Sequence, residues 1–589
     1  MALFFPPVQT PAQWFGMTIQ GKPVGYWSHA VRRQTDGLVQ TRDSMLFVIN
    51  RLGAKLSIAS DTTYLESSDG RLVSVDSTDK SSGQATREQV TFKDSVAEIL
   101  RTVGARQYRT QEQFTQPPYG PEFIRRESLR RLVRVRDSGM WQTFSPLISK
   151  VENQTVRLSA MTGSQKTVQI AFADIPGAQT SVYSSSGELI EMEQDSPLGM
   201  VKMLPETEAE AMAPDGGAEL PGGFFEATLA KSNIRLPDPR SISEVTLRLE
   251  EKSKIDLPPL GSENQSEITR TGPSVELRVE SQSSFAKKPG AEYLAPNSLI
   301  QADDPAIQKL AKEFLTESNS RFAAAVAAHD WLAARARLDG GIVEAPASET
   351  VKTCKGTCYA FAILLAALER AIGLPSKVAM GYVYEQGIWG GHAWTEVWNA
   401  GRWVRLDSAM YSRDRADAAR FAFATSSMAN GSSALSANGL AMFGKLKVTV
   451  LSYRTGDRLV KVGPTAKPYV VTGATYRNPW LGLRVNCPDA FRFTGLGGVY
   501  PDSSIVSLTD REGDAVSVGT HSGGPSGIRY PSDSNGQPAR IGGYRGLFQH
   551  GRGDAAFSFT VGQAEWQVTA TGPKASQAVK ELMRGLSIR

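Results

Sequence analysis

Apolar residues recur along the chain with two periods, and the changes between them divide it. From residue 13 to 34 the runs W-F-G-M-T-I-Q and V-G-Y-W-S-H-A-V flank a Gly21-Lys22-Pro23 break, the pattern of a β-hairpin. S-M-L-F-V-I-N, K-L-S-I-A-S, R-L-V-S-V-D, Q-V-T-F-K-D, T-V-R-L-S-A and T-V-Q-I-A-F continue the alternation. They predict a mostly antiparallel β domain over residues 1–215, ending in an acidic stretch between Pro205 and Pro214. V-T-L-R-L-E and V-E-L-R-V-E, separated by D-L-P-P-L-G, predict a smaller sheet within 216–290.

The period then becomes helical. Asp304-Pro305 reads as an N-cap followed by a first-turn proline, with Ile307, Leu310, Ala311 and Phe314 on one stripe. Ser320 opens a second helix through Phe322, Val326 and Ala333. A third begins after Thr357 with Phe361, Ala362, Leu365, Leu368 and Ile372 at helical spacing, and Gly373 and Pro375 end it. These helices belong to an α+β core over 291–422. Residues 423–454, rich in Ser, Ala and Gly, read as a linker or lid. Beyond 455 five strand-like runs lead to an amphipathic helix that starts near Gly572-Pro573, predicting an α+β domain over 455–589.

Candidate chemistry gathers in the core. Cys358 stands in the first turn of its helix, where the positive end of the helix dipole lowers a thiol pKa from about 8.5. Taken alone it reads as a small buried apolar residue. His392 and Asp407 change that reading. His392, Trp394 and Glu396 alternate with Ala393, Thr395 and Val397, and Trp403, Arg405 and Asp407 alternate with Val404 and Leu406. The Asn399-Ala400-Gly401 break joins two strands of a hairpin. A turn at Asn399-Ala400 places His392 opposite Asp407, and one at Ala400-Gly401 shifts the pairing by two and keeps both on one face. A three-residue turn brings Asp407 opposite Ala393 and weakens the geometry. A carboxylate beside a histidine fixes its tautomer and stabilises the imidazolium. His29, His329, His521 and His550 lack this setting and read as core or surface residues.

G-T-C-Y-A-F-A, G-G-H-A-W-T-E-V-W and W-V-R-L-D resemble the three motif blocks of the transglutaminase-like superfamily, over about residues 291–410. The resemblance implies a papain-like fold with Cys358 as nucleophile, His392 as base and Asp407 as orienter. It implies attack on amide bonds of protein or peptide substrates through a thioester, ending in hydrolysis or acyl transfer. The alternative is a catalytically silent scaffold or an envelope interaction protein. Gly356-Thr357-Cys358-Tyr359-Ala360 lacks the acidic residue many bacterial relatives carry here, which leaves the substrate open. The 455–589 layout is similar to the PsbP/Mog1-like fold, which implies a binding module.

Composition adds limits. Net charge is +5 with a pI near 8.9, too mild to point to nucleic acid, and no nucleic-acid fingerprint appears. Residues 123–136 carry six arginines, which read as a solvated face rather than an anion-binding surface. Three cysteines make no disulfide framework, and no His/Cys cluster has metal-ligand spacing. Cofactor and metal are both expected to be none. No apolar run reaches the roughly 18–20 residues that span a bilayer. The first residues lack the basic start of a signal peptide. Relatives of this layout are often exported, so envelope association stays open.

Overall fold

The computed structural model describes residues 11–588 apart from 52–53, 82, 84, 176, 197–198, 214–217, 220–227, 253–256, 386, 411–416, 432–434, 436–438, 440, 498–504, 522–535 and 562–563. The first ten residues, and with them the reading of the N-terminus, lie outside this set, as do Pro214 and the segment directly after Ala409-Met410.

Residues 13–206 form two antiparallel meanders fused into one sheet, joined where Gln13–Ile19 pairs with Gly199–Glu206. The sheet curls until its ends pack together. Phe92 meets Phe144 edge to face at 5.6 Å, and the buried Ser149 hydroxyl donates to Glu88 at 2.5 Å. The arginine-rich run forms the helix Pro121–Arg131 and the turn after it. Arg125 pairs with Glu122, and Arg130 and Arg131 pair with Glu127, so much of its charge is matched locally.

The smaller sheet draws on both sides of the core. Ile242–Glu251 pairs with Ser274–Glu280 on one edge and with Leu446–Thr455 on the other. The second partner lies within the stretch read as linker or lid. Its Leu446, Val448 and Val450 are buried at strand spacing against Leu247 and Leu249. That alternation is short and follows a long low-charge run, which masked it.

The helices start where the caps predict. Asp304 accepts from Ala306 N at 2.8 Å ahead of Pro305–Glu317, and Ser320 from Ala323 N at 3.1 Å ahead of Arg321–Arg335. The helix Cys358–Ala371 differs from its expected single stripe, because Tyr359 to Arg370 are all buried. It is enclosed by the two helices before it, by the short helix Ala347–Thr353 and by the core sheet. A helix so enclosed is apolar all round. Its last turn is tied to the surrounding chain by Arg370, which donates to Ala295 O, Ser376 O and Ser427 O at 2.6–2.9 Å.

The core sheet centres on Ile388–Asn399, which pairs with Ser376–Glu385; that strand in turn pairs with Arg420–Ser426. The C-terminal part is a seven-stranded antiparallel sheet covered by the helix Ala575–Gly585, with a four-stranded sheet beside it. Among the described residues no helix is long and apolar enough to cross a membrane.

Candidate active site

The cysteine is set by two local features. Gly356 has φ +154°, and a Cβ there would stand 2.8 Å from the Ala360 Cβ, so only glycine lets the chain turn this tightly into the helix. Thr357 occupies the N-cap position but makes no capping bond; its hydroxyl donates to Val343 O at 2.9 Å. Cys358 is therefore the first residue of a helix whose N-terminus no side-chain cap covers. Cys358 is partly exposed, whereas His392 and Asp407 are buried.

The histidine strand has an opening in its edge. Ala230–Lys231 pairs with Trp389 and Ile388, and Arg402–Leu406 pairs with Thr395 to Asn399. Among the described residues no strand covers residues 390–394 between them. The backbone N–H of Ala393 reaches the Cys358 sulfur through this opening. The hairpin turn is Ala400-Gly401, with φ of 49° and 81°. Both values are left-handed, as a type I′ hairpin requires. Thr395 consequently pairs with Leu406, and Asp407 stands diagonal to His392 on the same face.

The structure brings the three predicted residues together. His392 Nε2 lies 2.9 Å from Asp407 Oδ2, which leaves Nδ1 for the hydrogen bond to Cys358. Burial pushes the Cys358 thiol up, but the His392 charge, its hydrogen bond and the Ala393 N–H together bring it below the ordinary thiol value. Burial opposes protonation of His392, yet Asp407 and Cys358 raise its pKa to about 9. Burial also opposes ionisation of Asp407, and His392 and Arg420 overcome it and hold the carboxyl well below the usual range. Both shifts run in the direction that favours a thiolate beside an imidazolium.

Two neighbours of Asp407 carry no signal in the sequence pattern. Arg420, fully buried, donates from Nη1 to Asp407 Oδ2 at 2.5 Å. Its strand comes close because Gly381, paired with His392, has no side chain; a Cβ there would meet Phe421 O at 1.9 Å. His329, read as an ordinary core or surface residue, is buried on Arg321–Arg335, and its Nε2 donates to the Asp407 backbone carbonyl at 2.8 Å. Ala409 N donates to Asp407 Oδ1 at 3.1 Å. All three oxygens of Asp407 are engaged.

Glu396, on the same strand as His392, belongs to a separate buried network. It pairs with Lys377 at 3.1 Å and with Arg405 at 3.6 Å, and Asn264 donates to it at 3.1 Å. One acidic cluster among the described residues has metal-ligand spacing, Asp510, Glu512 and Asp514 in the C-terminal part. The Lys574 ammonium stands 2.7 Å from Glu512 and supplies a cation there.

Residues 308–408 match the sequence model of the transglutaminase-like superfamily. No curated protein matches the chain. Among solved structures, a "putative cysteine protease" from Cytophaga hutchinsonii is 16% identical, covering 38% of this chain and 85% of its own, with a TM-score of 0.25. A β-barrel-like protein of a domain of unknown function from Brucella abortus is 10% identical, covering 33% and 95%, with a TM-score of 0.29. A "putative protease" from Parabacteroides distasonis is 12% identical, covering 85% and 93%, with a TM-score of 0.16.

Proposed function

We propose that this transglutaminase-like domain is a cysteine enzyme acting on amide bonds of protein or peptide substrates, as hydrolase or acyl transferase. The observation that supports it is the Cys358 thiol at an uncapped helix start, hydrogen-bonded to a ring whose other nitrogen is held by Asp407. The Cys358 thiolate attacks the amide carbonyl carbon, and the backbone N–H of Cys358 donates to the oxyanion. His392 passes its Nδ1 proton to the nitrogen as the C–N bond breaks, leaving a thioester and a free amine. The neutral imidazole then takes a proton from water or a second amine as either attacks the thioester. The thiolate leaves and a carboxylic acid or a new amide is released. Asp407 keeps the ring in one tautomer throughout and stays ionised.

The test uses iodoacetamide at neutral pH on the full chain. Rapid, selective alkylation of Cys358 is the expected result; a rate no faster than that of free cysteine turns the reading toward a silent scaffold. In parallel, Cys358→Ala is assayed for peptide amide hydrolysis and for incorporation of a labelled amine. Either activity surviving unchanged would show the wrong nucleophile. The ratio of the two products with the native chain separates hydrolase from transferase. The C-terminal unit, PsbP/Mog1-like in layout, takes the role of a binding module in this reading.

A further inference from the structure

We infer that Arg420 is a positioning residue for the Cys358–His392–Asp407 centre, and that through Asp417 it makes Arg240 of the flanking sheet part of the same centre. The inference rests on the reading of that centre as an active site. Arg420 lies outside the matched residues 308–408, and so does Arg240.

A row of charges links them, buried at Asp407, Arg420 and Asp417 and half-buried at Arg240. Asp407 Oδ2 accepts from both His392 Nε2 and Arg420 Nη1, at 2.9 and 2.5 Å. Arg420 Nη2 stands 3.4 Å from Asp417 Oδ2, and the same oxygen accepts from Arg240 Nη1 at 2.5 Å. Arg240 Nη2 is fixed in turn by Tyr384 O at 2.6 Å and Glu385 Oε2 at 3.1 Å. Arg240 sits in the turn Pro239–Ser241, directly before the strand Ile242–Glu251. The guanidinium of Arg420 also stands 5.3 Å over the Trp394 ring, which is stacked near His392.

Asp407 and Asp417 each face a guanidinium, Arg420 and Arg240; Glu385 also faces Arg240 at the outer end, and Arg405, which donates from Nη1 to Asp417 O at 3.1 Å, is paired with Glu396. A buried carboxylate left without its guanidinium is costly, and it responds by taking a proton or by repelling other anions. A protonated Asp407 stops accepting from His392. An ionised, uncompensated Asp407 disfavours the Cys358 thiolate. Both responses move thiolate formation to higher pH. Arg420 is fully buried and bonded to Asp407, so its effect is exerted through Asp407.

The experiment measures the alkylation rate of Cys358 by iodoacetamide against pH in the full chain, with thermal unfolding recorded beside it. In Arg420→Met the onset of alkylation moves to higher pH and the neutral-pH rate falls by about tenfold to a hundredfold. Arg420→Lys recovers part of the loss. Arg240→Met, at the outer end of the row, shifts the onset in the same direction by less. A role in stability alone would lower the unfolding temperature without moving the onset. A folded Arg420→Met with the native onset and rate overturns the inference. If that variant does not fold, a native profile in Arg240→Met overturns it. Should native Cys358 react no faster than free cysteine, the reading of the active site fails first and this one with it. Fast native alkylation with unmoved variants defeats this inference alone.

Discussion

Cys354 closes one helix and Cys358 opens the next. Cys354 is the C-cap of Ala347–Thr353, with φ 49°, and is buried in the core. Burial pushes its thiol up, against a smaller opposing pull from Arg335. Burial pushes the Cys358 thiol up as well, but it stands at the positive end of a helix and beside a histidine, and its thiol is brought down. The same side chain, four positions apart in the sequence, is thus an inert core residue and a candidate nucleophile. Which end of a helix a thiol occupies, and whether an imidazole faces it, decides between the two.

The largest test of this contrast is substitution of each cysteine in turn. Cys358→Ala is expected to abolish amide hydrolysis and amine incorporation, and Cys354→Ala to leave both near native, measured as initial rates. Next, Asp407→Asn removes the charge that stabilises the imidazolium and selects its tautomer. A drop of about 10³–10⁴-fold in turnover is expected, with a slower alkylation of Cys358 and no change at Cys354. A third measurement follows both thiols against pH. Cys358 should alkylate below the ordinary thiol range, while Cys354 reacts only above it. Turnover should also decline as pH rises through about 9, where His392 loses the proton it must donate to the leaving amine. The smallest effect is on stability: Cys354→Ala should cost about 1 kcal/mol by denaturant titration, from lost packing in the core.

The sequence shows the Cys358 side of this contrast and little of what surrounds it. Thr357-Cys358 before a helical stripe, and His392 and Asp407 at strand spacing, are local patterns, so the three side chains were legible as a group. The hairpin register was open between alternatives until the positive φ of Ala400 and Gly401 resolved it. Arg420 reaches Asp407 from a strand that is not its neighbour in the sheet, across a bulge at Gly381, and no periodicity encodes that approach. His329 lies on a helix whose spacing gives no reason to single it out; only the docking of that helix brings its ring to Asp407 O. The cap was misleading in its chemistry, since the Thr357 hydroxyl turns to Val343 O. Two sheets with clean alternation were readable as β, but the return of Leu446–Thr455 to Ile242–Glu251 is a long-range pairing that local pattern does not carry.

That return has a consequence for synthesis. Ile242–Glu251 leaves the ribosome long before its second partner, Leu446–Thr455, whose first residue lies 195 positions after Glu251. At about 5–20 residues per second the wait is roughly 10–40 s. For that interval the nascent strand offers an unpaired edge to neighbouring chains, and Glu244, Arg248, Glu250 and Glu251 give that edge the charge that discourages illegitimate pairing.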